Sequence, residues 1–87
     1  MEKTPFTGDY ELFLTLLKEL RIQSGLTQED MAAALNETQS FVSKCERGER
    51  RIDIIELRQL CQAIGVTLPD FAAQLEAKIQ ARQGKHD

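Results

Sequence analysis

Side chains suited to contacting the edges of nucleic-acid bases lie close together in one short stretch of the chain. Gln39 and Ser40 stand at the start of a predicted helix, and Lys44 follows one turn after Ser40. A Gln amide pairs with N6 and N7 of adenine, and a Lys ammonium donates to O6 and N7 of guanine. Because the major groove of B-DNA accepts a single helix, these residue types would suit a helix that enters that groove.

Groups suited to phosphate flank this stretch on both sides. Arg47, Arg50 and Arg51 surround Gly48 at the end of the same predicted helix. Gln28 stands at the start of the preceding helix, where unpaired N–H groups and the helix dipole favour an anion. These groups would suit phosphate contacts beside the base contacts.

Positive charge is concentrated in this region, although the chain as a whole is acidic. It has 11 Lys and Arg residues against 14 Asp and Glu residues, a formal net charge of −3. Residues 38–51 alone have a net charge of +2, and a basic face on an acidic body would orient the protein on DNA. Alternatively, the arginines lie in a solvated loop and pair with Glu46 and Glu49. Since phosphate would repel Glu46, we expect its partner to be an arginine of the protein itself.

The apolar spacing that positions these residues is helical almost throughout, and no segment alternates as a strand does. Five short helices are predicted to start near Asp9, Thr27, Thr38, Asp53 and Thr67. These residue types are suitable N-caps, and Asn36 suits a left-handed turn between the second and third helices. We therefore predict an all-α single domain over residues 9–79, with a flexible arm at 1–8 and a flexible tail at 80–87.

Both cysteines lie on the apolar stripes of predicted helices. A free Cys in such a position acts as a small buried hydrophobe, so we expect Cys45 and Cys61 to pack in the core. His86 is the only histidine, and too few metal ligands remain for a zinc site. Phe41 has two interpretations, because it could cover the second helix or touch a thymine methyl group.

Three adjacent motifs resemble the Xre-type helix-turn-helix family, which includes the phage lambda repressor and Cro proteins. They are LRIQSGLTQEDMAAAL, TQSFVSKCERGERR and LRQLCQAIGV, in this order along the chain. The resemblance covers roughly residues 12–75. The sequence departs from the family at two positions, since many members have Gly where this chain has Asn36 and Ile or Leu where it has Cys45.

This resemblance implies a compact five-helix, lambda-repressor-like domain that binds double-stranded DNA sequence-specifically and regulates transcription as a repressor or autoregulator. The helix at 38–47 would enter the major groove and contact bases through Gln39, Ser40 and Lys44. Phosphate contacts are expected from Gln28, Ser43, Arg47, Arg50 and Arg51. We also expect a homodimer on a two-fold symmetric operator, with an interface formed by Phe71, Leu75 and Ile79.

Two other functions remain as alternatives. The first is a protein-interaction adaptor or antitoxin on the same fold, which the net acidity and the last helix would suit. The second is a redox-responsive regulator that uses Cys45, which would require an exposed thiol with a low pKa. An enzyme is not expected, because there is no Ser/His/Asp arrangement or Gly-rich phosphate loop. We also expect no cofactor, small-molecule ligand or membrane span, and a cytoplasmic location.

Overall fold

All five predicted helices are present in a computed structural model, which describes residues 8–84. They are α1 (Gly8–Gln23), α2 (Gln28–Leu35), α3 (Gln39–Glu46), α4 (Ile54–Ile64) and α5 (Leu68–Gly84). The described residues contain no strand, so the predicted all-α class is confirmed. The predicted arm, apart from Gly8, and residues 85–87 of the predicted tail lie outside the described residues.

The last helix extends beyond the predicted domain boundary at residue 79. α5 continues to Gly84, because Arg82 contacts Asp9 of α1 and the Gln80 amide donates to Glu76 Oε2 at 2.8 Å. Both contacts support the final turns of α5.

Local capping determines where α2, α3 and α4 begin. Thr27 Oγ1 accepts from the Asp30 backbone N–H at 3.0 Å, and Asp30 Oδ2 accepts from the Thr27 N–H at 3.0 Å. Asp53 and Glu56 form the same reciprocal box at α4. Asn36 ends α2 in the left-handed region with φ 58°, as predicted. The turn between α2 and α3 is therefore short and well defined.

The core lies where α2 packs against α3 and α4, and where α1 covers α3 and α5. Leu17 of α1, Met31 of α2 and Val42 of α3 are each 0% exposed. Phe13 of α1 packs edge-on against Phe71 of α5, with ring centroids 5.7 Å apart. This packing fixes the orientation of α3 relative to the rest of the domain.

Cys45 and Cys61 are free thiols buried in the interior, as predicted. Burial raises the pKa of both thiols above the usual value. The redox alternative needs the opposite environment, an exposed thiol with a low pKa, so the structure does not favour it.

None of the helices in the described part is both long enough and apolar enough to cross a membrane. Within residues 8–84, no cluster of three or more His, Cys, Asp or Glu residues could hold a metal ion.

Candidate nucleic-acid interface

The outer face of α3 presents all three residues that were predicted to contact bases. Val42 and Cys45 are 0% and 1% exposed and face the core, while Gln39, Ser40 and Lys44 are exposed. Because one face is locked in the interior, the opposite face can meet a ligand without any rearrangement of the helix. The structure therefore brings the three predicted residues together on one surface.

Gln39 is held by hydrogen bonds that begin deep in the domain. The Arg21 guanidinium of α1 donates to the Glu46 carboxylate of α3 through Nε at 2.6 Å and through a second nitrogen at 3.1 Å. Gln28 Nε2 donates to Glu46 Oε1 at 3.0 Å, and Gln39 Nε2 donates to Gln28 Oε1 at 2.6 Å. We call this series of four residues the relay. It links a buried ion pair to the first residue of α3.

The expected arginine partner of Glu46 is confirmed, and it is Arg21. The side chains of this pair are only 9% and 3% exposed, and Arg21 also donates to the Leu26 carbonyl at 2.8 Å. Sequence analysis missed Arg21, although its position is informative. It lies among the apolar residues of α1, where an unpaired charge would be costly.

Arg47, the first residue after α3, is exposed and lies beside Ser43. Its guanidinium contacts Ser43 Oγ and forms an ion pair with Glu49 at 3.0 Å. The hydrogen bond from Arg47 lowers the pKa of Glu49. A phosphate at this place therefore has to share Arg47 with Glu49.

Arg50 makes more contacts with its neighbours than Arg47 does. Two of its nitrogens donate to the Glu56 carboxylate at 2.9 and 2.7 Å, and its guanidinium lies 4.7 Å from the centre of the Phe41 ring. The Phe41 side chain packs against the core, in agreement with the first interpretation of this residue. Glu56 thus caps α4 and neutralises Arg50, and the second role was not apparent from the sequence.

Arg51 differs from Arg47 and Arg50 in its contacts. Its guanidinium stacks 4.6 Å from the Tyr10 ring centre, and neither Arg51 nor Lys44 takes part in an ion pair within residues 8–84. These two exposed residues are the cations of this surface that are most available to an anion.

The predicted interface residues of α5 occupy different environments. Phe71 is 0% exposed and belongs to the core of the protomer, so its side chain cannot form part of a surface. Leu75 and Ile79 are half-buried and line an apolar groove of about 400 Å³. The prediction of a surface on α5 therefore keeps only Leu75 and Ile79.

The apolar groove also includes the start of α4, which sequence analysis did not assign to an interface. Its other lining residues include Tyr10, Ile52 and Ile54. Ile54 and the adjacent Ile55 are 60% and 62% exposed. Both residues are apolar but lie outside the buried stripe of α4. An apolar residue outside the stripe is a sequence signal that could have identified them.

Comparison with known proteins identifies similar sequences among transcription regulators. A family model described as helix-turn-helix matches residues 17–71. The chain is 44% identical to the HTH-type transcriptional regulator y4dJ of Sinorhizobium fredii, over 55% of this chain and 62% of that protein. It is 30% identical to the control protein C.MunI of a Mycoplasma species, over 69% of this chain and 82% of that protein. The chain thus spans less than two thirds of the y4dJ protein.

Solved structures resemble this fold closely. An XRE-family-like protein from Pseudomonas syringae superimposes with a TM-score of 0.77 at 44% identity, over 80% of this chain and 85% of that chain. The restriction-modification controller protein C.Esp1396I, solved as a tetramer with its natural 35-base-pair operator, superimposes with a TM-score of 0.72 at 28% identity. That match covers 79% of this chain and 91% of the controller.

Proposed function

Because the chain belongs to the Xre-type helix-turn-helix family of DNA-binding transcription regulators, we propose that it binds a two-fold symmetric operator as a homodimer. α3 would lie in the major groove, and the protein would act in the cytoplasm, where it meets DNA. The observation that supports this most directly is the exposure of Gln39, Ser40 and Lys44 on one face of α3. The opposite face of the same helix is buried.

The chemistry of these side chains assigns a role to each of them. Gln39 would pair with adenine, Lys44 would donate to guanine, and Ser40 would contact a base of either kind. α3 is eight residues long, about 12 Å along its axis, and an α-helix with its side chains is about 10–12 Å across, a width that the major groove accepts.

Phosphates beside the groove would be bound by Gln28, Ser43, Arg47, Arg50 and Arg51. Of the three arginines, Arg51 meets a phosphate without giving up an ion pair to a described residue. Arg47 and Arg50 have to be shared with Glu49 and Glu56, so we expect Arg51 to contribute most to the salt dependence of binding.

The second copy would bind at the apolar groove. The exposed Ile54 projects beside a concave surface formed in part by Leu75 and Ile79. A projection and a hollow on the same surface are what a two-fold contact needs, since each copy offers both.

Selection of binding sites from a random pool of duplex DNA, at near-physiological salt, tests this function. We expect a two-fold symmetric consensus with half-sites about one helical turn apart. Gln39→Ala should remove the preference at one position of each half-site, while the control Gln59→Ala, at an exposed position on α4, should leave it unchanged. A flat selection with only salt-sensitive binding would refute sequence-specific recognition.

The apolar groove also supports a second candidate function, a protein-interaction adaptor whose partner is a different protein. This candidate predicts that the purified chain stays monomeric at micromolar concentration and that DNA binding is weak and independent of sequence. Light scattering of the purified protein, together with the site selection, separates the two functions. A dimer with a symmetric consensus would exclude the adaptor as the main function.

A further inference from the structure

Glu46 is a charged residue in an unusual place, since it belongs to the helix proposed to face DNA but its side chain is almost fully buried. Its side chain is 3% exposed, and its two oxygens accept from Arg21 at 2.6 and 3.1 Å. The same carboxylate also accepts from Gln28 Nε2 at 3.0 Å. An ionised carboxylate can only accept hydrogen bonds, and this property has consequences along the relay.

Glu46 determines which way the Gln28 amide faces. Because the carboxylate cannot donate, Gln28 has to turn its NH2 group towards Glu46 and its Oε1 away from it. Oε1 then lies 2.6 Å from Gln39 Nε2. Two amide oxygens at that distance would repel each other, so Gln39 has to donate one of its two Nε2 protons to Gln28.

The hydrogen bond to Gln28 changes which donors and acceptors Gln39 can present to a base. A free Gln has two amide protons and could direct both of them at O6 and N7 of guanine, which are acceptors. With one proton given to Gln28, Gln39 offers a single donor and the acceptor Oε1. That pair matches N7 and N6–H of adenine, and it does not match guanine.

We propose that Glu46, held by Arg21, is a positioning residue that makes Gln39 select adenine against guanine. The inference rests on the proposed DNA-binding function and adds to it the residue that determines a base preference. Glu46 would act without touching DNA, through Gln28, which lies at the start of α2.

The test compares operators that differ only at the base pair whose preference is lost in Gln39→Ala. The dissociation constants for the A·T and G·C versions are measured by fluorescence anisotropy for each protein. We expect the intact protein to prefer A·T by about 10- to 100-fold, the discrimination that one bidentate pair provides. Gln28→Met breaks the relay and leaves the ion pair in place, and it should reduce this ratio at least about threefold.

Glu46→Gln tests the first link directly, because an amide at this position can donate as well as accept. It should also lower the A·T to G·C ratio, and circular dichroism checks that the variant is folded. If the unpaired Arg21 prevents folding, the double variant Arg21→Met with Glu46→Met, which removes both charges of the buried pair, takes its place and should lower the ratio as well. Loss of a phosphate contact in Gln28→Met would weaken binding to both operators alike, and this does not alter the ratio of the two dissociation constants. Gln62→Met, at an exposed position of α4, is the matched control and should bind like the intact protein.

The outcomes separate the inference from the function on which it rests. A base other than adenine at the Gln39-dependent position, or an unchanged ratio in Gln28→Met or in a folded Glu46 variant, overturns the role of Glu46 while DNA recognition stands. An intact protein with no preference for any sequence overturns the proposed function, and the inference with it.

Discussion

Replacing Ile54 by Ser should weaken the proposed homodimer strongly and leave the protomer nearly as stable as before. Ile54 is 60% exposed, so most of its apolar area remains available for burial by a second copy. Full burial of an Ile side chain is worth about 1.5–3 kcal/mol, and the exposed part therefore corresponds to about 1–2 kcal/mol. A two-fold dimer contains the contact twice, so the loss is about 2–4 kcal/mol, or about 30- to 700-fold in the dimer Kd.

Sedimentation equilibrium measures this Kd for the intact protein, for Ile54→Ser and for a matched control. Ile22→Ser is that control, because Ile22 is 56% exposed but does not line the apolar groove. Urea unfolding of each variant checks the stability of the fold. If Ile54→Ser and Ile22→Ser dimerise equally well, the second copy does not cover the apolar groove, and the reasoning is refuted.

Four further predictions concern single side chains. Gln39→Ala should cost about 1–3 kcal/mol on the selected operator and relax the preference at one base pair, as measured by anisotropy; unchanged specificity would contradict the placement of α3 in the groove. Arg51→Ala should weaken binding to all sequences alike and reduce the slope of log K against log salt by about one per protomer, whereas an unchanged slope would remove its phosphate contact. Glu56→Gln should be less stable than the intact protein at neutral pH. Hydrogen bonds from Arg50 lower the folded-state pKa of Glu56, so this stability is lost as the pH falls through the acid range; a stability difference that does not shrink in urea titrations at decreasing pH would argue against the ion pair. Phe71→Ala should cost about 3–5 kcal/mol of unfolding free energy because the ring is fully buried, and a loss confined to dimerisation would return Phe71 to the interface.

Helix boundaries could be predicted well from the sequence because capping acts over only a few residues. Thr27 caps α2 as predicted and forms a reciprocal capping box with Asp30, three residues later, and Asn36 adopts the predicted left-handed conformation. The end of α5 was less predictable. Its final turns contain few apolar residues, and their support comes in part from the contact between Arg82 and Asp9, which are 73 residues apart.

The residue types of the candidate site could be predicted from the sequence. The residues with which their side chains pair could be predicted less well. The spacing of Gln39, Ser40 and Lys44 places them on the exposed face of α3 once Val42 and Cys45 are assigned to the core. The pairing of Arg50 with Glu56 was not predicted, because it depends on how the loop after α3 folds back onto α4.

The proposed dimer surface was likewise only partly predictable from the sequence. A four-residue apolar period cannot distinguish a core contact from a surface contact, and both Phe71 and Leu75 fit it. The edge-on contact with Phe13 places Phe71 inside, while Leu75 lies at the rim of the apolar groove. Packing of α5 against α1 made this distinction.

The sequence by itself determined the five helices, their caps and the polar face of α3, because these features depend on neighbours a few residues apart. Tertiary structure alone decided the relay, whose hydrogen bonds join residues 25, 18 and 11 positions apart. Such bonds exist only where α1, α2 and α3 cross at the right place. The physical reason is that a buried carboxylate must find its donors in space, and the crossing of the helices brings Arg21 and Gln28 to Glu46.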